Sequence, residues 1–203
     1  MAGFSSNTEQ NILVAARKVF IEKGRDGARM QEIANEAGIN KALLHYYFRS
    51  KQKLFEAVFL EAFDKFLPQT ELLISSNKSF FEVLKSFIGN YIDLIIKNPH
   101  IPGFILHELS QNPENIAQFI SSRVNHLPVL IEKIREEMDQ GKIKPMDPRQ
   151  IMVNIIGLCV FPFVARPIIK AVFFQDDNTA YEIFLQERKN EVYNFILNSI
   201  KPC

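Results

Sequence analysis

The sequence predicts an all-α fold from three observations: apolar residues at helical spacing, helix-ending residues at helical intervals, and no convincing strand pattern. Ile12, Ala15, Ala16, Val19 and Phe20 occupy the i, i+3, i+4, i+7 and i+8 positions of one helix face. Glycine, proline and capping residues divide the 203-residue chain into segments of helical length. The whole pattern indicates about nine helices.

The N-terminal part begins with a helix predicted over residues 7–23, which Gly24 ends. A long helix is predicted to begin after Ser50, which has the character of an N-cap. We expect that helix to end before Pro68, because proline lacks the backbone donor that a helix interior needs.

Between these helices, residues 29–54 contain the pattern of a helix-turn-helix. Ile33 and Ala34 give a short helix an apolar face, and Gly38 supplies the positive backbone angle that stops it. Asn40 is predicted to cap a second short helix over residues 41–47. Helical spacing points Leu44 and Phe48 inward and leaves the following residues outward as a candidate DNA surface: Lys41, Ala42, His45 and Tyr46.

The rest of the chain also has helical periodicity. Its predicted helices are residues 80–95, a short segment between Pro102 and Pro113, residues 114–140 with a kink at Pro128, Asp147 to Pro162, and a last helix capped by Thr179 with Glu182. Two domains are therefore predicted, residues 1–54 and residues 55–203.

Charge is distributed unevenly along the chain. Residues 1–55 contain nine Lys or Arg and five Asp or Glu, whereas the net charge of the whole chain is +1. A basic segment of this kind favours a polyanionic partner, although many solvated helix faces carry a similar excess.

The order of these features resembles the DNA-binding domain of the TetR family of bacterial transcriptional regulators, from about Thr8 to Leu54. The resemblance includes Glu-Lys-Gly at 22–24, Ala-Gly at 37–38 and Tyr-Phe-Arg-Ser-Lys at 47–51. It implies a three-helix DNA-binding domain followed by a larger helical ligand-binding and dimerisation domain. It also implies that the following residues face double-stranded DNA, with Lys51 on a phosphate: Arg29, Gln31, Asn40, Lys41, Ala42, Leu43, His45, Tyr46 and Lys51.

Two residues depart from the family pattern. His45 stands where tyrosine is most frequent, and we hypothesise that its protonation makes DNA affinity depend on pH. Arg29 replaces the usual Ser or Thr, which removes a hydroxyl cap and adds a guanidinium that can reach a phosphate or the minor groove.

The resemblance further implies an effector cavity and a two-fold dimer in the larger domain. Candidate effector-binding residues are Phe66, Phe87, Tyr91, Phe104, His107, Arg123 and His126. The last two predicted helices are too apolar to expose singly, so they are candidates for a four-helix interface between two copies. Candidate dimerisation residues are Ile151, Ile155, Phe184, Arg188, Val192 and Phe195.

Several other function classes find no support in the sequence. His107 and Glu108 begin like a zinc-protease helix, but Gln111 stands where its second histidine belongs. The positions of Cys159 and Cys203 match neither a disulfide framework nor a metal site, so no metal or cofactor is expected. Without a signal peptide or a run of about 20 apolar residues, the protein is expected to be cytoplasmic and not membrane-bound.

The sequence therefore predicts a homodimeric, ligand-responsive transcriptional repressor that is not an enzyme. It would bind a palindromic operator and be released by a small, lipophilic or aromatic effector, with coupling through the fourth helix. Two alternatives stay open: an activator or constitutive regulator without inducer, and an α-helical hydrophobe-binding protein with a vestigial helix-turn-helix.

Overall fold

The computed structural model describes residues 2–111 and 113–202; the side chains of residues 2–6, 65 and 115 lie outside that description, as do Met1, Asn112 and Cys203. Within the described residues the chain is helical and contains no strand, which confirms the all-α prediction. The helices are α1 Ala2–Gly27, α2 Met30–Glu36, α3 Lys41–Tyr47, α4 Lys51–Ile74, α5 Phe80–Lys97, α6 Ile101–Gln111, α7 Pro113–Ser121, α8 Leu127–Asp139, α9 Pro148–Val164, α10 Arg166–Phe174 and α11 Asn178–Ile200.

The chain divides into two compact units, Met1–Lys65 and Phe66–Cys203, and the division falls inside α4. In unit 1 the buried faces of the first helices form a small core that contains Phe20, Ile33, Leu44 and Phe55. The Phe20 and Phe55 rings meet edge to face, with their centroids 4.7 Å apart. This core supports the helix-turn-helix.

Gly24 interrupts α1, in agreement with the predicted helix end. Its φ of 67° and ψ of 174° are not helical, so two helical segments meet at this residue. A φ in this range is unfavourable for a residue with a Cβ, which explains why glycine stands here.

Unit 2 has its core between α5, α8, α9 and α11. The cluster includes Ile88 and Ile92 of α5, Ile155 of α9 and Val192 of α11, each at most 1% exposed. The apolar stripe predicted for residues 80–95 is therefore the face that α5 buries.

The structure differs from the predicted helix end before Pro68 and from the predicted kink at Pro128, since residues 114–140 form parts of two helices, α7 and α8. Pro68 is inside α4, which continues to Ile74. Burial of Phe66 before the proline and Ile74 after it stabilises the helix on both sides and outweighs the lost hydrogen bond. Pro128 lies in the first turn of α8, where its missing N–H costs no bond, so it begins a helix and does not kink one.

Pro162 lies inside α9, and side chains of α11 compensate for its effect on the backbone. Proline has no N–H to donate to the carbonyl of Leu158, four residues earlier. Arg188 Nη2 donates to that carbonyl at 2.9 Å. In the last turn of α9, the Tyr181 hydroxyl donates to the carbonyl of Pro162 at 2.7 Å.

The connection between α10 and α11 contains two successive residues with positive φ, Gln175 at 49° and Asp176 at 63°. Asp177 follows as the N-cap of α11, and its carboxylate accepts from the backbone amides of Thr179 at 2.8 Å and Ala180 at 3.1 Å. The predicted cap at Thr179 is therefore wrong by two residues. An aspartate carboxylate accepts these two amides at once, which makes Asp177 the better cap.

None of the helices in the described part of the chain combines the length and apolarity of a membrane span. The adjoining helices α9 and α10 reach that composition only together, across a 73° bend.

Candidate nucleic-acid interface

Helix α3 is held in unit 1 by its cap and by its buried side. Asn40 accepts a hydrogen bond from the Leu43 amide through Oδ1 at 2.7 Å, as an N-cap does. Leu44 is fully buried, and Phe48 is nearly so. Gly38, with φ of 67°, makes the turn that precedes the cap. These features agree with the predicted helix-turn-helix.

The opposite side of α3 lies on the surface of unit 1. The predicted DNA-facing residues of this helix are all exposed: Lys41, Ala42, Leu43, His45 and Tyr46. Tyr46 is 79% exposed, although its ring contacts Tyr47 edge to face at a centroid distance of 5.5 Å. An exposed short helix with a cation, an imidazole and a phenol has the donors that a major-groove helix uses.

Both carboxylates of α2 form ion pairs with lysines of α1. Lys18 Nζ lies 2.7 Å from Glu36 Oε1, and Lys23 Nζ lies 3.0 Å from Glu32 Oε1. The hydrogen bond to Glu36 raises the pKa of Lys18, and the hydrogen bond from Lys23 lowers the pKa of Glu32. Both shifts favour the charged forms of Lys18 and Glu32.

Three exposed cations of unit 1 have no such partner in the described part of the chain. Arg29, Lys41 and Arg49 are exposed and take part in none of its ion pairs. Arg49 was not predicted as a contact. Its position directly after the aromatic end of α3, before the first turn of α4, is the sequence signal that could have indicated it.

Arg29 and Gln31 lie at the start of α2. The Arg29 backbone amide donates to Glu32 Oε2 at 3.2 Å, so the capping contact comes from glutamate while the guanidinium stays outside. Gln31 Nε2 donates to Asn35 Oδ1 at 2.9 Å on the same exposed face. Both residues lie on the surface of the unit that carries α3.

Lys51 differs from the other predicted DNA contacts because it is half-buried, whereas they are exposed. Its Nζ donates to the carbonyls of Asp26 and Ala28, at 3.1 Å in each case. His45 is also near backbone, with Nδ1 3.4 Å from the Arg49 carbonyl, a distance beyond that of a strong hydrogen bond.

Comparisons with known proteins agree with this geometry. The family described as "Bacterial regulatory proteins, tetR family" matches residues 12–58, which include all of α2 and α3. The biofilm operon icaADBC negative transcriptional regulator IcaR of Staphylococcus aureus is 29% identical over 191 residues, covering 93% of this chain and 96% of IcaR.

The N-terminal residues 12–58 match the TetR family of transcriptional regulators, and the chain is similar to IcaR over most of its length. Two solved structures have the same fold. A TetR/AcrR-family regulator from Thermobifida fusca superposes with a TM-score of 0.69 at 16% identity, covering 93% of this chain and 97% of that one. FadR of Bacillus subtilis in complex with stearoyl-CoA superposes with a TM-score of 0.67 at 22% identity, with coverages of 93% and 97%.

Three of the residues predicted to bind an effector lie together in unit 2. The ring of Phe66 lies 6.1 Å from that of Phe87 and 5.7 Å from that of Tyr91, and the latter two rings stack at 5.7 Å. Burial, followed by the influence of Cys159, raises the pKa of the Tyr91 hydroxyl well above its ordinary value. The phenol is therefore neutral at physiological pH.

The other four predicted effector residues differ in burial and in their contacts. Phe104 is buried, and Arg123 lies 3.9 Å from the ring centroid of Phe119. His126 Nε2 pairs with Glu71 Oε2 at 3.2 Å, and His107 is exposed. A groove of about 470 Å³ between α4 and α5 is lined by none of the seven. Its lining combines polar residues, among them Lys78, Asn90 and Asp93, with Leu72 and Leu73.

The predicted dimerisation residues are divided between the core and the surface of unit 2. Ile151, Ile155 and Val192 are each 1% exposed and pack inside the unit, so they have no surface to offer a second copy. Arg188 is bonded to Leu158 and Phe184 is half-buried, whereas Phe195 is 63% exposed.

Further apolar side chains are exposed on α9, α10 and α11, and only Phe195 among them is a predicted dimerisation residue. We call this set the apolar surface: Val153, Ile156 and Phe161 of α9, Ile168, Val172 and Phe173 of α10, and Ile183 and Phe195 of α11. The residues predicted on α9, Ile151 and Ile155, lie on the stripe that is buried inside unit 2. The helix is apolar on nearly all sides, so its sequence also contains a second stripe, with Val153 and Ile156, which is the exposed one.

The described residues contain no group of three or more His, Cys, Asp or Glu side chains that could hold a metal ion.

Proposed function

We propose that this regulator is a homodimeric transcriptional repressor that binds a palindromic operator and is released by a small lipophilic or aromatic effector. Residues 1–54 act as the DNA-binding domain, and residues 55–203 act as the ligand-binding and dimerisation domain. The observation that carries the proposal is the exposed face of α3, with Lys41 and His45 beside the cations Arg29 and Arg49 and with the carboxylates of α2 paired elsewhere.

The size of α3 and the apolar surface both support dimerisation. A helix of seven residues reads few base pairs, whereas a two-fold pair reads half-sites separated by about 34 Å or more. The apolar surface includes Phe173, which is 73% exposed, and Phe195. Soluble monomers seldom expose several large apolar side chains on adjoining helices, and contact with a second copy would remove them from water.

Repression is supported by the relative IcaR, whose name describes a negative transcriptional regulator. Release by an effector requires that the effector bind the DNA-incompetent arrangement more tightly than the competent one. Helix α4 begins in unit 1 and ends in unit 2, so it is the element that we propose transmits this preference.

A lipophilic or aromatic effector is supported by the composition of unit 2. Phe66, Phe87 and Tyr91 provide aromatic surface with a single neutral hydroxyl, which suits an apolar ligand with few polar groups. The FadR structure holds stearoyl-CoA, so the shared fold can accommodate a long acyl chain. We propose Phe66, Phe87 and Tyr91 as the first candidates for contact with an effector.

Selection of binding sites from random duplex DNA tests the DNA half of the proposal. The full chain should enrich sequences with two inverted half-sites, and the Lys41→Glu variant should lose that enrichment, because it reverses the charge of an exposed residue on α3. The Lys78→Glu variant, altered on the surface of unit 2, is the matched control and should enrich the same sites. Enrichment of no sequence, or of single half-sites by a monomer, contradicts the proposal.

The selected operator then tests the effector half. Fatty acids, acyl-CoA esters and aromatic acids are titrated into the operator complex, and the expected result is release by one class at a concentration that leaves the Phe87→Ala, Tyr91→Ala variant bound. If every class leaves the complex intact, a constitutive regulator is the better description. Increased operator affinity in the presence of a compound would indicate a co-repressor or an activator.

A further inference from the structure

Lys51 is placed to hold the junction between α1 and α2. It is the first residue of α4, and its side chain reaches the C-terminal end of α1. Nζ donates to the carbonyl of Asp26 and to the carbonyl of Ala28, and Ala28 itself is 2% exposed. Two of the three ammonium protons are therefore used inside the protein.

The electrostatics of helix ends favour this contact. Carbonyl groups after the last turn of a helix lack helical donors and carry partial negative charge, which a cation stabilises. A lysine in the first turn of α4 is unfavourable for the dipole of α4 unless its charge is directed away from it. The neighbouring Gln52 adds a second connection, since its Oε1 accepts from Arg25 Nη1 at 3.0 Å.

The junction determines where α2 begins. The carbonyl of Arg29, one residue after Ala28, accepts from the amides of Glu32 at 3.0 Å and Ile33 at 3.2 Å. Helix α2 in turn contacts α3 through the glycine turn. A displacement of residues 26–28 would therefore displace the first turn of α2 and, through it, the DNA-facing side of α3.

We infer that Lys51 is a positioning residue of the DNA-binding unit and does not neutralise a DNA phosphate. This assignment replaces the phosphate contact expected from the family resemblance. Its effect on DNA affinity rests on the proposed function, whereas its role at the α1–α2 junction does not. Lys41 is the natural contrast, because it is exposed and takes part in no ion pair or hydrogen bond of the described residues.

The salt dependence of DNA binding separates the two roles. Binding of the full chain to operator and to random DNA is measured against salt for wild type, Lys51→Met and Lys41→Met. Methionine keeps an unbranched apolar stem and removes the charge. We expect Lys41→Met to reduce the slope of log affinity against log salt by about one per subunit. Lys51→Met should leave the slope unchanged and should lower operator affinity by about tenfold, with little change for random DNA.

Two outcomes of this experiment overturn the inference. A slope that falls by about one per subunit in Lys51→Met would identify a phosphate contact. Unchanged operator affinity at a temperature where the variant is fully folded would mean that Lys51 contributes only to stability.

The free protein provides a second test that needs no DNA. Hydrogen exchange at the amides of Glu32 and Ile33 should become faster in Lys51→Met and stay unchanged in Lys53→Met, since Lys53 pairs with Glu56 in its own helix. Unchanged exchange in the Lys51 variant overturns the inference. Failure of operator selection alone would count against the proposed function and leave this result valid.

If Lys51→Met does not fold, competitive acylation of lysine amines in the wild-type chain provides an alternative test. Nζ of Lys51, held by two carbonyls, should react more slowly than Nζ of Lys41 in the absence of DNA. Equal reactivity of the two amines would overturn the inference.

Discussion

Arg188 donates through Nη2 to the Leu158 carbonyl at 2.9 Å, and this is the carbonyl that Pro162 leaves without a helical partner. The contact joins α11 to the interior of α9. It assigns to Arg188 a function within unit 2, where the sequence suggested a contact between two copies.

A double-mutant cycle tests this pairing. We expect Arg188→Met to lower the free energy of unfolding by about 1.5–3 kcal/mol, because a bond from a charged donor is lost and a carbonyl is left unsatisfied. In a Pro162→Ala background the loss should be smaller, since the alanine would supply the missing N–H to the Leu158 carbonyl. Denaturant unfolding of the four proteins measures the coupling. Equal losses in both backgrounds would show that Arg188 acts independently of Pro162.

Substitutions of Asn40 can separate its effect on stability, as the cap of α3, from its predicted effect on DNA binding. Asn40→Ala should destabilise unit 1 by about 1 kcal/mol, because the Leu43 amide loses its acceptor. Asn40→Asp keeps an acceptor and should retain the stability, but its negative charge should lower affinity for DNA. Thermal unfolding together with DNA titration distinguishes the two effects. Similar stability of wild type and the alanine variant would contradict the assigned cap.

A charged substitution in the apolar surface tests the proposed dimer interface. Phe195→Asp should convert a dimer to a monomer, because an unpaired carboxylate would be buried in the interface. Val129→Asp is the matched control, since Val129 is also about half exposed but lies on α8. Sedimentation velocity over a range of concentrations measures the outcome. A monomeric wild type, or equal effects of both variants, would refute the assigned interface.

Because the Cys159 thiol is buried, we expect the free energy of unfolding to fall at alkaline pH. Burial raises the pKa of its thiol to about 12, although the charge of Arg188 acts in the opposite direction. Since the native pKa lies above the unfolded value of about 8.5, the contribution to stability is complete below the unfolded value and is lost as pH rises toward the native one. Unfolding of Cys159→Ala should therefore depend less on pH, between about 9 and 11, than that of wild type.

The same thiol should be inert in the native state. In a Cys203→Ser background, thiol labelling at about pH 8 should be slow until denaturant unfolds unit 2. Rapid labelling of the native chain would contradict the burial of Cys159.

Local features of the sequence were sufficient for the helix-turn-helix. The glycine turn, the Asn40 cap and the inward spacing of Leu44 and Phe48 depend on residues within one or two turns, and the structure has all of them. The bounds of α3 agree with the predicted residues 41–47 for the same reason.

Features that depend on distant residues were not predictable in this way. The continuation of α4 through Pro68 depends on burial of Phe66 and Ile74. The choice between the two apolar stripes of α9 depends on which one α5 and α11 cover. The bonds of Lys51 join residues more than 20 positions apart, so no local pattern indicates them.

The pairing of Lys18 with Glu36 and of Lys23 with Glu32 affects how this protein would encounter DNA. The chain as a whole is almost neutral, with a net charge of +1, so it has little long-range attraction for a polyanion. At physiological ionic strength the Debye length is about 8 Å, and within that range DNA would meet the exposed cations Arg29, Lys41 and Arg49, while lysines of α1 pair with the carboxylates of α2. Capture would therefore begin only at close approach, and little of the protein would be sequestered on unrelated nucleic acid.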